Sequence, residues 1–296
     1  MSVRRSGYCA IVGRPNVGKS TLINDLIGQK LAITSHKPQT TRHSIRGIKT
    51  LPEGQIVYVD TPGIHQRGDQ PLNRYLNRAA RSAMVDVDAI LFVVEALHWT
   101  AEDEAVLESV IGATASKILV VNKIDTVKDK AELLPFIAEL NQRCPFLETV
   151  PVSALKGDNT GLLERQILER LPEGERLFPE DQLTDRSERF FASELIREQL
   201  TRRFSKEIPY ALTVEIEGFE DREGLYRINA LIWVEKAGQK NIIVGRKGES
   251  LKAVARQSRI EMEKFFGTRV YLEVWVKVKK SWSSDEKALT YLGYGG

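Results

Sequence analysis

The octapeptide Gly13-Arg14-Pro15-Asn16-Val17-Gly18-Lys19-Ser20 constrains this chain more than any other stretch. It follows the apolar run 8–12, typical of a buried strand, and precedes 21–27, where apolar residues recur at helical spacing. A G-x-x-x-x-G-K-S spacing between a strand and a helix predicts a phosphate-binding loop, because glycines let successive backbone amides converge on phosphate oxygens. Lys19 supplies positive charge, Ser20 can hold Mg²⁺, and the helix directs its positive dipole end at the anion.

The size and composition of the chain limit its class. Its 296 residues exceed what one hydrophobic core usually serves, so we expect two domains. The sequence has neither an apolar run of about 18 residues nor a signal peptide, which predicts a cytoplasmic protein. Cys9 and Cys144 stand far apart, which favours buried reduced thiols over a disulfide or a zinc site. The four histidines show no metal-ligand spacing either.

A second polar motif follows the phosphate loop. Residues 29–44 have no clear period and predict a loop, and the β-rich runs 46–51 and 55–61 predict a hairpin. The second run ends in Asp60-Thr61-Pro62-Gly63. A carboxylate closing an apolar strand can hold Mg²⁺ from the side opposite Ser20, so Asp60 is a candidate metal ligand.

From residue 89 to residue 171 strands and helices alternate. The predicted strands are nearly continuous apolar runs, as a parallel sheet covered on both faces requires: 89–95, 117–121 and 150–152, with helices at 101–111, 130–142 and 160–171. This alternation predicts a doubly wound, mostly parallel α/β sheet with its ligand outside the carboxyl ends of the strands.

The tetrad Asn122-Lys123-Ile124-Asp125 follows one of these strands and predicts recognition of guanine. The carboxylate of Asp125 can accept hydrogen bonds from N1–H and the 2-amino group of guanine, whereas adenine has neither donor there. Asn122 would tie loops together, and the stem of Lys123 can pack along the base. Ser153 and Ala154, at the end of the next strand, are candidates for a backbone contact to the guanine oxygen.

Taken together, the motifs GRPNVGKS, QTTRH, DTPG, NKID and SAxxG resemble the translation-factor-type GTPases and, among them, the Era family of ribosome-associated GTPases. This resemblance implies an α/β P-loop GTPase domain that binds GTP or GDP and hydrolyses Mg·GTP by in-line attack of water. By position, Lys19 binds the β and γ phosphates, and Gly63 senses the γ phosphate. The implied Mg²⁺ ligands are Ser20, Thr41 in preference to Thr40, and Asp60, which binds through water. The nucleotide-contacting positions comprise the octapeptide, Thr21, the stretch from Asp60 to Ile64, the tetrad, Ser153 and Ala154.

One position departs from the pattern of Ras-like proteins. The residue after Gly63, where those proteins place a water-orienting Gln, is Ile64, which has neither donor nor acceptor. The orienting group could come from elsewhere in the chain, from a backbone group, or from bound K⁺. In GTPases that this chain resembles, an Asn at the position of Asn16 is associated with K⁺. We therefore expect slow intrinsic hydrolysis that K⁺ or RNA stimulates.

The second half of the chain has a different pattern. Residues 173–187 are rich in Pro, Glu, Asp and Thr without a period and predict a linker between domains 1–172 and 188–296. The predicted order beyond it is helix, two strands, short helix, Gly-x-x-Gly, helix and strand. That order resembles an α+β KH domain of the bacterial type (type II), whose Gly-x-x-Gly loop clamps single-stranded nucleic acid.

The basic excess of the chain concentrates around this loop. Residues 240–280 contain 11 Lys and Arg against 4 Asp and Glu. A solvated charged face or a plain surface turn is the simpler explanation; the order of elements favours RNA binding. The predicted RNA-binding residues are Ile242, Ile243 and Val244 along a groove, Gly245, Arg246, Lys247 and Gly248 in the loop, and Lys252 beyond it.

The resemblance to the Era family extends over nearly the whole chain. It implies binding to the 3′ end of 16S rRNA, a role in maturation of the 30S subunit, peripheral contact with the cytoplasmic face of the inner membrane, and a monomeric state. Two other interpretations stay open. One is a P-loop kinase or ATPase, which the tetrad argues against. The other is an RNA-binding assembly factor whose nucleotide site is mainly structural.

Overall fold

The computed structural model describes residues 4–35, 37, 40–63 and 71–294. The chain divides into two compact units, and the main division falls between Asp185 and Arg186; of the described residues before it, 71–75 cluster with the second unit. Within the described residues, no helix is long and apolar enough to cross a membrane. Cys9 and Cys144 are free and buried, which confirms the prediction of reduced thiols.

The first unit is built on a six-stranded sheet of order β2-β3-β1-β4-β5-β6, in which only β2 runs antiparallel to its neighbour. This confirms the predicted mostly parallel doubly wound sheet. In chain order the elements are β1 (Arg5–Val12), α1 (Lys19–Ile27), β2 (Ile45–Leu51), β3 (Gly54–Asp60), α2 (Pro71–Ser82), β4 (Ala89–Glu95), α3 (Ala101–Ile111), β5 (Ser116–Asn122), α4 (Leu133–Arg143), β6 (Glu148–Pro151) and α5 (Thr160–Leu168). The first five residues of α2 cluster with the second unit and the rest with the first.

The register of this sheet brings the predicted motifs to one edge. The central strands β1, β4 and β5 are mostly buried, and their apolar residues form the core because helices cover both faces. Ile11 pairs with Asp60 across β1 and β3, and Glu95 pairs with Asn122 across β4 and β5. The loops that follow β1, β3 and β5 therefore leave the sheet at neighbouring carboxyl ends.

Two helices differ from the sequence predictions. Helix α2 was not predicted, although Leu72, Leu76 and Ala80 recur every four residues and are buried. The predicted helix 130–142 is a 3₁₀ turn followed by α4. Pro135 lacks a backbone N–H and is tolerated only in the first turn of an α-helix, which agrees with a start at Leu133.

Most of the predicted linker lies along the first unit. Gln55 Oε1 accepts hydrogen bonds from the amides of Leu177 and Phe178, each at 2.9 Å. The carbonyl of Leu183 accepts from the amide of Ile48 at 2.9 Å. Isolated hydrogen bonds to β2 and β3, rather than a helix, hold this stretch, which agrees with the absence of a helical or strand period in its sequence. The boundaries 173–187 stay a prediction.

The second unit packs helices on one face of a three-stranded sheet of order β7-β8-β9, antiparallel between β7 and β8 and parallel between β8 and β9. The predicted order of elements is confirmed. Ser187 caps the first helix by accepting a hydrogen bond from the amide of Phe190. The elements are α6 (Glu188–Arg203), β7 (Leu212–Asp221), β8 (Leu225–Val234), α7 (Ala237–Val244), α8 (Glu249–Phe266), β9 (Arg269–Val278) and α9 (Glu286–Leu289).

The end of the chain belongs to this second unit. The indole of Trp282 is buried and donates to the carbonyl of Ala211 at 3.1 Å. The hydroxyls of Thr213 and Tyr294 hydrogen-bond at 3.1 Å. The helical turns here are short and carry too few residues to show a period in the sequence.

Candidate functional site

The phosphate loop depends on two glycines for its conformation. Gly13 has φ 156°, and a Cβ there would lie 2.3 Å from the carbonyl oxygen of Val93. Gly18 has φ 102° and caps α1, and a Cβ there would lie 2.3 Å from Nδ2 of Asn122. No L side chain fits either position. The exposed Asn16, at the outer side of the loop, is left-handed with φ 65°.

Lys19 is the buried cation of this loop. Its Nζ donates to the carbonyls of Gly13 and Arg14, each at 2.8 Å. Burial lowers the pKa of Lys19 to about 8, although the nearby Asp60 carboxylate opposes the shift. A partly desolvated ammonium group held by two loop carbonyls is suited to neutralising phosphate charge.

Three oxygen ligands converge beside this lysine. Ser20 Oγ lies 2.8 Å from Thr41 Oγ1 and donates to Asp60 Oδ2 at 3.4 Å. Burial raises the pKa of Asp60 to about 6, against the charge of Lys19 and the hydrogen bonds from both hydroxyls. Two hydroxyls and a carboxylate form the hard oxygen set that Mg²⁺ prefers.

The other oxygen of Asp60 indicates that this set suits a cation. Asp60 Oδ1 is buried, and within the part of the chain that the structure describes it has no hydrogen-bond partner. A buried carboxylate oxygen without a partner carries a large desolvation cost that a bound cation would offset. Thr40, by contrast, donates its hydroxyl to the carbonyl of Lys37 at 2.6 Å. The geometry therefore favours Thr41 over Thr40 as a ligand.

The residues that follow Asp60 close against the phosphate loop. Thr61 donates its hydroxyl to the carbonyl of Ile11 at 2.8 Å. A Cβ on Gly63 would lie 2.9 Å from Cγ of Pro15, so this glycine allows a close backbone approach. Ile64, the residue in question for water orientation, lies outside the described residues.

The tetrad after β5 is tied to both neighbouring loops. Asn122 Nδ2 donates to the carbonyl of Val17 at 2.8 Å, and its Oδ1 accepts from the amide of Ala154 at 3.0 Å. Asn122 thereby joins the phosphate loop to the Ser153-Ala154 turn. Ser153 donates its hydroxyl to Asp125 Oδ1 at 2.6 Å, which orients the carboxylate predicted to read guanine.

Sequence reasoning missed an ionic bridge between two of these motifs. Glu95 Oε2 accepts from Arg14 Nη2 and from Lys123 Nζ, both at 3.0 Å. Arg14 also donates from Nε to the fully buried Asp103 at 2.9 Å. Burial raises the pKa of Glu95, but its bonds to Lys123 and Arg14 outweigh that effect and lower the pKa overall. The charge of Glu95 therefore links the phosphate loop to the tetrad. Its signal in the sequence is a carboxylate at the end of the apolar run 89–94.

The Gly-x-x-Gly loop of the second unit has the backbone that its sequence predicts. Gly245 and Gly248 have φ of 72° and 80°, and Lys247 between them has φ 50°. Arg246, Lys247 and Lys252 are exposed, and so is half of the Ile242 side chain.

The prediction that Ile243 contacts RNA is wrong. Its side chain is fully buried and belongs to the core of the second unit. It therefore has no exposed surface for direct contact with a base. The helical turn that carries it exposes Ile242 and buries Ile243, because neighbouring helical positions point in directions about 100° apart.

The fold and the site define a class of protein: a P-loop GTPase domain followed by a KH domain. The family model for a 50S ribosome-binding GTPase matches residues 8–123, and that for a KH domain matches residues 207–283. GTPase Era of Pseudomonas aeruginosa is 55% identical over 291 residues, which cover 98% of this chain and 95% of that protein. GTPase Era of Azotobacter vinelandii is 53% identical over 290 residues, or 98% and 97% of the two chains. The chain belongs to the Era family of GTPases.

Solved structures agree with this assignment. A single-substitution variant of Aquifex aeolicus Era bound to GDP·AlF₄⁻ matches with a TM-score of 0.95 and 39% identity, over 99% of this chain and all of that one. Era in complex with MgGDPNP and nucleotides 1506–1542 of 16S ribosomal RNA matches with a TM-score of 0.95 and 38% identity, over the same shares. The family assignment made from the sequence motifs is confirmed.

Proposed function

We propose that this protein binds and hydrolyses Mg·GTP, binds the 3′ end of 16S rRNA through its KH domain, and assists maturation of the 30S subunit. The convergence of Ser20, Thr41 and Asp60 beside Lys19 carries the nucleotide half of the proposal. The related Era structure with MgGDPNP and a 16S rRNA segment supports both halves.

The nucleotide chemistry is assigned to residues already placed at the sheet edge. Lys19 neutralises β and γ phosphate oxygens, and the amides of the phosphate loop hold their orientation. Ser20, Thr41 and Asp60 would hold Mg²⁺, which supplies charge neutralisation of the phosphates when bound. Gly63 senses the γ phosphate through its backbone. Its lack of a Cβ lets that backbone lie close to Pro15 of the phosphate loop.

Guanine specificity is assigned to Asp125. Its carboxylate accepts hydrogen bonds from N1–H and the 2-amino group of guanine. The hydroxyl of Ser153 donates to Oδ1 of the same carboxylate and orients it. Adenine would leave this carboxylate without its two donors. Competition by ATP equal to that by GTP would overturn the assignment and favour the kinase or ATPase interpretation.

We infer that Asn16 would help to hold K⁺, which would supply the positive charge that orients the attacking water. Two observations support this: the side chain of Ile64 has no polar atom, and the exposed Asn16 is left-handed in the phosphate loop. Steady-state GTP turnover should be faster in KCl than in NaCl, and Asn16→Ala should remove the difference. Equal rates in the two salts would refute the role of K⁺.

RNA binding is assigned to the Gly245–Gly248 loop. Its two glycines let phosphates approach the backbone, and the exposed Arg246 and Lys247 supply charge. The proposal also includes peripheral membrane contact, which vesicle flotation would test. It further includes a monomeric state, which light scattering would test.

The experiment that tests the proposal measures GTP turnover with and without single-stranded RNA of the 16S 3′ end. We would compare wild type with Lys247→Asp and with Lys287→Asp, an exposed lysine on α9 that serves as the matched control. RNA should stimulate wild type and the control but not Lys247→Asp. Turnover that RNA leaves unchanged in all three proteins would refute coupling, and no turnover at all would favour a structural nucleotide site.

A further inference from the structure

Asn24 lies inside α1, and the nucleotide chemistry described above does not use it. Asparagine is a poor helix former, so its place in this helix needs an explanation. Its side chain contacts the chain beyond the helix. Asn24 Oδ1 accepts hydrogen bonds from the amides of Leu31 and Ala32, and its Nδ2 donates to the carbonyl of Ala32, each at 2.8 Å. One side-chain amide thus pairs with three backbone groups at the start of the loop predicted at 29–44.

The segment that Asn24 holds is buried although it forms neither helix nor strand. Leu31, Ala32 and Ile33 are each exposed by 3% or less. Buried backbone groups need partners, and outside regular elements a side chain can supply them. The amide of Gly28, which ends α1, donates to the carbonyl of Asn24 at 3.0 Å. Asn24 therefore holds both the end of the helix and the first residues of the loop.

The two ends of this loop contact the same face of α1. Ser20 and Asn24 are four residues apart, about one helical turn, so their side chains share one face. Asn24 holds the loop at Ala32. Ser20 Oγ lies 2.8 Å from Oγ1 of Thr41, nine positions further along the chain. The helix itself is fixed, because its apolar residues are buried in the first unit. One rigid helix face therefore determines where the loop starts and where Thr41 lies.

We propose that Asn24 is a positioning residue for GTP binding and hydrolysis: by fixing the start of the loop on α1, it places Thr41 beside Ser20 as a ligand for Mg²⁺. The inference rests on the proposed function, because Thr41 acts through the Mg²⁺ of bound GTP. In GTPases the loop that carries this threonine is ordered by contacts with the γ phosphate and Mg²⁺, and hydrolysis releases it. A loop with a fixed start has fewer conformations to lose when GTP orders it. GDP does not require that order, so Asn24 should favour GTP over GDP.

The test compares Asn24→Ala with Asn141→Ala, the matched control. Asn141 is also a helical asparagine that holds the chain beyond its own helix, since its Oδ1 accepts from the hydroxyl of Thr149 at 2.9 Å, between α4 and β6. Alanine favours helix, so α1 should form in Asn24→Ala, and circular dichroism checks that it does. Asn24→Asp is a second variant. It sets a carboxylate against the carbonyl of Ala32, and we expect it to change the same measurements in the same direction.

The first measurement is hydrogen exchange of the nucleotide-free proteins, followed by mass spectrometry on the peptide that contains Leu31 and Ala32. These amides should exchange faster in Asn24→Ala than in wild type or the control, because both lose their acceptor. Unchanged exchange would mean that the side chain does not hold the loop, and would overturn the inference.

The second measurement is equilibrium binding of a fluorescent GDP and of a fluorescent, non-hydrolysable GTP analogue at several Mg²⁺ concentrations. In Asn24→Ala the affinity for the GTP analogue should fall about tenfold, as expected for the net loss of about one or two neutral hydrogen bonds. The Mg²⁺ concentration that gives half-maximal binding of this analogue should rise. The affinity for GDP should stay within about twofold of wild type, and the control should match wild type throughout.

The outcomes separate the inference from the proposed function. An equal loss of affinity for both nucleotides would indicate general damage to α1 and would overturn the positioning role. Faster exchange with unchanged affinity for the GTP analogue would also overturn it, because the loop start would then have no bearing on Thr41. The same selective loss in Asn141→Ala would do so as well. Wild type that binds neither nucleotide would overturn the proposed function itself.

Discussion

The ionic bridge through Glu95 predicts that one carboxylate remote from phosphate chemistry tunes nucleotide affinity. Glu95→Gln keeps the shape of the side chain and one acceptor oxygen but removes the charge that Arg14 and Lys123 share at 3.0 Å each. Arg14 retains Asp103, so the phosphate loop should stay folded. Lys123 is deprived of its carboxylate partner within the described structure, and the tetrad is no longer linked to the phosphate loop through this bridge.

The magnitude follows from the two bonds. A hydrogen bond to a charged group contributes about 1.5–3 kcal/mol and a neutral one about 1 kcal/mol, so neutralising a shared acceptor costs roughly 1–2 kcal/mol here. The low end applies because Glu95 is 27% exposed and water screens the charges. If this energy, about 1 kcal/mol, holds both loops in the binding conformation, the dissociation constants for GDP and GTP rise about fivefold.

The assay is stopped-flow dissociation of a fluorescent GDP analogue together with equilibrium titration. Glu104→Gln is the matched control, because Glu104 Oε2 likewise accepts from two donors, Trp99 Nε1 at 3.0 Å and Arg143 at 2.9 Å, and both lie outside the nucleotide loops. The control should bind nucleotide as wild type does. An affinity of Glu95→Gln within twofold of wild type, or an equal decrease in Glu104→Gln, would refute the role of the bridge.

Three further predictions address single contacts. Asn122→Ala leaves two buried backbone groups without their partner and should lower the free energy of unfolding of the GTPase domain by about 2–4 kcal/mol, measured in urea. Asp125→Asn should weaken GTP binding about 100-fold and strengthen xanthosine triphosphate binding, measured by calorimetry, because the amide donates where xanthine carries a carbonyl. Gly245→Ala places a Cβ 2.7 Å from Cβ of Ser250 at φ 72°, costs about 1–3 kcal/mol, and should weaken RNA binding in anisotropy titrations without changing RNA-free GTP turnover.

Each of these has a contradicting outcome. Wild-type stability of Asn122→Ala would mean that water replaces the side chain in joining the loops. Equally weakened binding of both nucleotides by Asp125→Asn would indicate a misfolded tetrad rather than altered base recognition. Reduced RNA-free turnover in Gly245→Ala would show that the substitution disturbs more than the KH loop.

The predicted motifs are recognisable in the sequence because each is a short stretch whose residue types encode its own backbone. Gly13 and Gly18 occupy positions with no room for a Cβ, and Lys19 opens the helix that follows. The alternation of strands and helices then places the loops after β1, β3 and β5 at one edge of the sheet. Ile243 marks the limit of local pattern, since its place in an apolar groove or in the core depends on the rotation of a single helix.

Local sequence therefore determined the two-domain architecture, the phosphate loop, the Asp60 strand end, the tetrad after β5 and the Gly-x-x-Gly loop. The tertiary structure alone decided that Glu95 joins Arg14 to Lys123. The physical reason is range. Backbone conformation and periodicity are set by neighbours a few residues apart, whereas Arg14 and Lys123 are separated by more than a hundred residues and meet only because β1, β4 and β5 lie side by side in one sheet.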